Sequence, residues 1–187
     1  GEFIGTEGLD CDFSVTGRFH AAHTRKAFAR MTRQIKSQPK ELQSPYQIVQ
    51  PDQQRSAIGT DRYFGGLVHE NYASLDPARY HPCLLNLATA AGVQIAPFSQ
   101  VSEIKQSGNG YSVSSSRGVV QARDVIIATN GYTMGLMPWL QRRVIPIGSY
   151  MIATEPIEPS LMDRLFPTDR MITDSRKVVY YYRPSPD

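Results

Sequence analysis

The sequence predicts an α+β fold, a mostly antiparallel sheet with helices, accompanied by an incomplete part of a parallel α/β domain. Three observations predict it. Helical patterns over 25–37 and 76–91 stand apart from runs of short strands instead of alternating with them one by one. The strand-like runs between Val93 and Ala122 are joined by Ser107-Gly108-Asn109-Gly110 and Ser115-Ser116-Arg117-Gly118, turns that make an antiparallel meander. Finally, Asp124 to Tyr132 set the apolar run Val125-Ile126-Ile127-Ala128 between a charged residue and a glycine turn, the pattern of a strand buried on both faces.

Each element has a local reason. Phe13, Val15, Phe19 and Ala21 alternate with polar positions, so residues 9–23 read as extended chain with a bend at Thr16-Gly17. Thr24 caps a helix over 25–37 whose apolar stripe is Ala27, Phe28, Met31 and Ile35. A polar loop at 37–45 leads to a strand at Tyr46–Val49, a helical turn after Pro51, and a strand-like run at 63–68 that Gly65 and Gly66 interrupt. Asp76-Pro77 starts a helix that Gly92 stops, with Leu84, Leu87, Ala88 and Ala91 expected on its inner side. Pro82 removes one backbone hydrogen bond there, so the regular part is expected to begin near His81. Strands follow at 93–96, 101–105, 111–114 and 119–122, then the buried strand 125–128 and a loop at 134–139. A long strand at 144–153, a short helix within 156–166, and a hairpin over 171–183 complete the chain.

Composition excludes several classes. Hydrophobic content of 41% and charged content of 20% describe a globular chain, and no apolar run reaches the length of a membrane span. Cys11 and Cys83 belong to no CxxC motif and read as reduced thiols of a cytoplasmic protein. The net charge of +3 is small. Its distribution is uneven, because Arg18, Arg25, Lys26, Arg30, Arg33, Lys36 and Lys40 occur with no acidic residue from 18 to 40. Such a helix suits a solvated basic face, and nucleic acid is not expected as a partner. A non-catalytic module using helix 25–37 on an acidic partner or nucleic acid is the alternative reading.

The chemistry-bearing residues narrow the field. On a strand His20 and His23 point to opposite faces, and His69 and His81 have no partner at ligand spacing, so no metal site is expected. The chain carries no G-x-S-x-G elbow, no Walker loop and no G-x-G-x-x-G fingerprint. At the end of the 125–128 strand, Thr129 offers a hydroxyl and Gly131 permits close approach of a phosphate or planar ring. Near the carboxyl end, Tyr180 and Tyr182 share one face of a strand while Tyr181 takes the other, with Arg183 following.

Four segments carry a family resemblance: Leu75-Asp76-Pro77-Ala78-Arg79-Tyr80, Val101-Ser102-Glu103-Ile104, Asp124 to Tyr132, and Arg143-Val144-Ile145-Pro146-Ile147-Gly148-Ser149-Tyr150. In this order they resemble the FAD-dependent amine and amino-acid oxidases of the D-amino-acid oxidase superfamily, and within it the bacterial gamma-glutamylputrescine oxidases of putrescine catabolism. The resemblance implies a substrate-domain part at 1–74, a partial FAD-binding domain at 75–132 and a further substrate-domain part at 133–187. It implies an internal piece of a larger flavoenzyme, starting after the dinucleotide fingerprint and stopping before the flavin-contacting strand, with the remainder of the parent polypeptide as a partner. FAD is the implied cofactor, contacted by Val101, Thr129, Asn130 and Gly131. Tyr181 and Arg183 are the implied substrate-side catalytic residues. The implied reaction takes a hydride from the C–H of a small amine substrate to flavin, giving imine or aldehyde and hydrogen peroxide, with the chain by itself inactive.

Overall fold

The computed structural model describes residues 1–42, 45–133 and 135–185. Gln43 and Ser44 of the expected 37–45 loop, Met134 of the 134–139 loop, and Pro186 and Asp187 lie outside the described residues. The chain divides into two compact units: Gly1–Ala91 with Thr154–Asp187, and Gly92–Ala153. Both combine helices with largely antiparallel sheets, as the α+β class requires.

The first unit contains α1 (Glu2–Thr6), β1 (Arg18–Ala21), α2 (Arg25–Lys36), β2 (Tyr46–Val49), β3 (Gly66–His69) and α3 (Pro77–Ala90). Its strands form one sheet with two that come later in the chain, β7 (Met171–Asp174) and β8 (Tyr181–Tyr182). The order across the sheet is β2-β3-β1-β7-β8. Only β1 and β7 run parallel; the other neighbouring strands are antiparallel. Register partners put their side chains on the same face. One face carries Phe19, Val68 and Ile172, and packs with Ala21, Val49, Ala57, Ile58 and Tyr63 into the larger core. The opposite face carries Leu67, Tyr46 and Ile48, and there α2 lays down Ala27, Met31 and Ile35.

α2 forms as its stripe dictates. Thr24 Oγ1 accepts the amide of Ala27 at 3.0 Å, and Phe28 packs partly buried beside the stripe. Arg25, Lys26, Arg30, Arg33 and Lys36 point outward. Gly65 and Gly66 mark a close backbone approach, as their pairing in sequence suggests. A Cβ on Gly66 would lie 2.3 Å from the His20 carbonyl oxygen, and one on Gly65 2.4 Å from that of Val49, with φ +74° besides.

α3 departs from expectation twice. It is helical from Pro77, not from near His81, because Asp76 Oδ1 accepts the amides of Ala78 and Arg79 and stabilises the first turn despite Pro82. Its apolar side is not an inner side: none of its residues is buried, and Leu84 and Leu85 are exposed.

The second unit holds β4 (Val101–Ser107), β5 (Gly110–Ser115) and β6 (Gly118–Ala122), the meander that the turn sequences predict, with α4 (Pro138–Gln141) after it. The hairpin turn uses Gly108 at φ +58°. Three expected strands are not formed: 93–96, 125–128 and 144–153 are extended or irregular chain without ladder partners. The 125–128 run is not buried either, Ile126 being 92% exposed, and Ile145 is 82% exposed. An interior parallel strand exists only through hydrogen bonds to neighbours on both edges, and no described strand borders these segments. In the first unit α5 (Pro159–Leu165) confirms the predicted short helix.

Candidate functional site

α2 covers only the β2 and β3 half of its sheet face. Across the other half the register sets Leu67, His20, Thr173 and Tyr181 in one row, and Arg18 and Met171 in the next. This β1-β7-β8 surface is therefore polar where the α2 half is apolar. His20, Thr173 and Arg18 are half-buried, and Tyr181 is 60% exposed.

The row has the properties of a binding surface. Thr173 Oγ1 is buried and has no hydrogen-bond partner among the described residues, a costly arrangement for a hydroxyl that nothing else completes. Burial, and then the Arg18 guanidinium, hold the His20 imidazole below the ordinary histidine range, so it is neutral near pH 7. His69, the register partner of Arg18, is held down for the same reasons. Arg18 lies over the Tyr72 ring at 4.0 Å, which fixes the guanidinium plane beside the row.

The hairpin that carries Tyr181 is clamped from the opposite face. The Asp174 side chain is 0% exposed and pairs with the Arg176 guanidinium. It also accepts the amides of Arg176 at 3.1 Å and Tyr180 at 3.3 Å. Tyr182, on the core face, meets Tyr63 hydroxyl to hydroxyl at 3.0 Å, and burial pushes its phenol well above the ordinary range. Tyr181 is thus delivered to the polar face by two anchored neighbours. The Arg183 Nη2 donates to the Leu75 carbonyl at 3.1 Å.

The residues expected at a cofactor lie in the second unit. Val101 opens β4, where the register with β5 shifts between Val101 and Glu103. Thr129, Asn130 and Gly131 form a single turn, with Asn130 at φ +50°. Within it the hydroxyls of Thr129 and Thr133 meet at 2.9 Å, and Thr133 also donates to the Asn130 carbonyl. A Cβ on Gly131 would meet nothing closer than Pro146 at 3.5 Å, so the fold itself does not demand glycine there.

These residues suit one side of a large cofactor and not its charged centre. The α3 amino terminus, a natural phosphate seat, is filled by the Asp76 carboxylate. No group of histidine, cysteine, aspartate and glutamate able to hold a metal ion occurs among the described residues. No described helix is long and apolar enough to cross a membrane.

His20 and Thr173 are the members of the site that sequence reasoning missed. The sequence pattern marks His20 only as a metal-ligand candidate and gives Thr173 no signal. Their structural signal is the pairing of β1 with β7, strands separated by some 150 residues, and of β7 with β8.

Comparison with known proteins agrees with this architecture. Residues 1–187 match the family described as DAO, FAD dependent oxidoreductase. A probable oxidoreductase OrdL of Haemophilus influenzae is 31% identical over 135 residues, which is 70% of this chain and 31% of the relative. The gamma-glutamylputrescine oxidoreductase of Escherichia coli is 25% identical over 180 residues, 96% of this chain and 42% of the relative. The chain thus spans less than half the length of these curated relatives. Among solved structures, L-proline dehydrogenase from P. horikoshii superposes with a TM-score of 0.67 at 13% identity, covering 100% of this chain and 54% of that one. Glycine oxidase from Geobacillus kaustophilus gives 0.63 at 16% identity, covering 70% and 36%. At these identities the structures speak for the fold alone.

Proposed function

Since the chain belongs to the DAO family of FAD-dependent oxidoreductases, we propose that it forms the substrate-side sheet of an amine oxidase together with part of that enzyme's FAD-binding domain. The observation that carries this reading is the uncovered polar row His20, Thr173 and Tyr181, with a buried hydroxyl awaiting a partner. The relative named for gamma-glutamylputrescine supports a small amine as substrate. When bound, FAD supplies the acceptor for a hydride from the amine's C–H, which yields imine and, after hydrolysis and reoxidation by oxygen, aldehyde and hydrogen peroxide.

The chain's own residues do the positioning. The amine must be neutral at nitrogen before its carbon gives up hydride, and the neutral imidazole of His20 offers it a hydrogen-bond partner that adds no charge to the row. Arg18 beside it disfavours positive charge on this row, so the neutral amine binds in preference to the ammonium ion. The hydroxyls of Thr173 and Tyr181 hydrogen-bond the substrate nitrogen and fix its distance, while the apolar α2 half of the face limits water. Arg183 acts from its seat on the Leu75 carbonyl by holding the end of β8, a positioning role. Val101 would contact the adenine of FAD and the Thr129-Asn130-Gly131 turn its ribose and phosphates, with Gly131 leaving room for close approach.

The chain by itself is expected to bind FAD weakly, because the Asp76 carboxylate fills the amino terminus of α3 and the sequence carries no G-x-G-x-x-G fingerprint for the pyrophosphate. Titration of FAD with flavin fluorescence checks this; tight stoichiometric binding would contradict it. In the full-length protein, Tyr181→Phe is expected to lower peroxide production from gamma-glutamylputrescine by about 10- to 100-fold. A rate unchanged within twofold would remove Tyr181 from the site. A cytoplasmic setting belongs to the same reading and rests on the two free thiols.

A further inference from the structure

We propose that Cys11 and Cys83 are a peroxide-sensitive dithiol, a site of reversible disulfide formation that staples the segment leading into β1 to the helix α3. They are the two cysteines of the chain, and both are free thiols. Cys11 is 1% exposed, while Cys83 is half-buried on α3. Cys83 Sγ lies 3.7 Å from the carbonyl oxygen of Asp10, the residue before Cys11. Backbone geometry places that oxygen within about 3 Å of the Cys11 Cα, so Cys83 Sγ is within about 7 Å of it. Rotation about the two Cα–Cβ bonds swings the sulfurs toward each other, and the disulfide requires a Cα separation below about 7 Å.

The surroundings hold the two segments together independently of the sulfurs. The Cys11 carbonyl accepts the amide of Asp76, the capping residue of α3, at 2.8 Å. One turn along, Arg79 reaches back to the carboxylates of Asp12 at 3.3 Å and Asp10 at 3.6 Å. Segment 10–12 is therefore tied to α3 by contacts that flank the thiols, and formation of the disulfide asks for side-chain rotation instead of a change of fold.

The chemistry divides by exposure. The accessible Cys83 thiolate attacks hydrogen peroxide: an S–O bond forms, the O–O bond breaks, and hydroxide leaves. Cys11 then attacks the Cys83 sulfur through its own thiolate; the S–S bond forms, the S–O bond breaks, and the departing oxygen takes up protons as water. In sum, two thiols and one peroxide give a disulfide and two waters. Burial pushes the Cys11 thiol up, which suits the slower, resolving partner. The proposed amine oxidation would release this oxidant close by, but peroxide from any source serves, so this site stands or falls apart from that reading.

The test treats the folded chain with hydrogen peroxide, alkylates it, and maps it by mass spectrometry without reduction. The expected result is one peptide pair linked through Cys11 and Cys83, both thiols lost together and both recovered with dithiothreitol. In Cys11→Ser the link is absent and Cys83 stops at a sulfenic acid that dimedone traps. Cys11 remaining open to alkylation after denaturation while Cys83 of the unmodified sequence is fully oxidised would overturn the proposal, as would disulfides that form only between chains.

Discussion

Thr173 shows how a single side chain separates folding from function. Its hydroxyl is buried, unpartnered among the described residues, and set in register between His20 and Tyr181. Removing a hydroxyl that makes no bond should not weaken a fold. Thr173→Val is accordingly expected to leave stability unchanged or raise it by up to about 1 kcal/mol in urea denaturation, while weakening amine binding in the full-length protein. A loss of stability beyond about 2 kcal/mol would show that the hydroxyl is bonded within the fold. The histidines add a pH dependence. His20 and His69 are both held down by burial and by Arg18, whereas in the unfolded chain each titrates near about 6.5. Below that pH the unfolded state takes up protons that the folded state refuses, so stability is full above it and falls as pH drops toward the folded values. Melting temperatures from pH 8 to 5 should show this decline, and His20→Asn with His69→Asn should flatten it. A decline of the same size in the double variant would assign it to carboxylates.

At the level of elements, the hairpin from β7 to β8 depends on one buried acid. Asp174 ties its own pair, Arg176, and the amide of Tyr180 into the turn that presents Tyr181. Removing Asp174 takes the acceptor from the amides of Arg176 and Tyr180, whereas the Arg176 guanidinium, 38% exposed, stays solvated beside the rings of Tyr63 and Tyr180. Asp174→Ala is expected to cost about 1–3 kcal/mol in chemical denaturation. The central strands are equally intolerant at Gly66, where a methyl would enter van der Waals space of the His20 carbonyl and the Phe19 ring. Gly66→Ala should lose about 1–3 kcal/mol, read from the urea midpoint, and an unchanged midpoint would mean that β1 and β3 separate freely. These elements were legible in unequal degree. α2, its Thr24 cap, its Ala27, Met31 and Ile35 stripe and the meander turns are local patterns, and the fold keeps them. The runs 125–128 and 144–153 have strand composition but no strand beside them, and composition cannot supply an edge.

Over the whole molecule, order is distributed between a sheet with a core cluster on each face and a second unit that leaves long apolar stretches exposed. Backbone amides without ladder partners exchange quickly and are open to proteases. Limited trypsin digestion is therefore expected to cut first at Arg123, Arg142 and Arg143, leaving β1, β3 and β7 protected in hydrogen exchange. Cleavage that begins at Arg18 or Arg170 would reverse this order of stability. Apolar residues such as Ile126, Ile145 and Ile147 are the segments that a larger enzyme of this family would be expected to cover.

By itself the sequence determined what local chemistry decides: the α+β class, the caps of α2 and α3, the hairpin turns, the resemblance to flavin-dependent oxidases, and the placing of Tyr181 opposite Tyr180 and Tyr182. Only the tertiary structure decided which strands meet. That pairing brings His20 and Thr173 to Tyr181, turns Arg183 toward Leu75, and leaves the 125–128 run bare. The physical reason is that side-chain alternation is a property of one strand, whereas register and burial belong to hydrogen bonds between segments far apart in the chain.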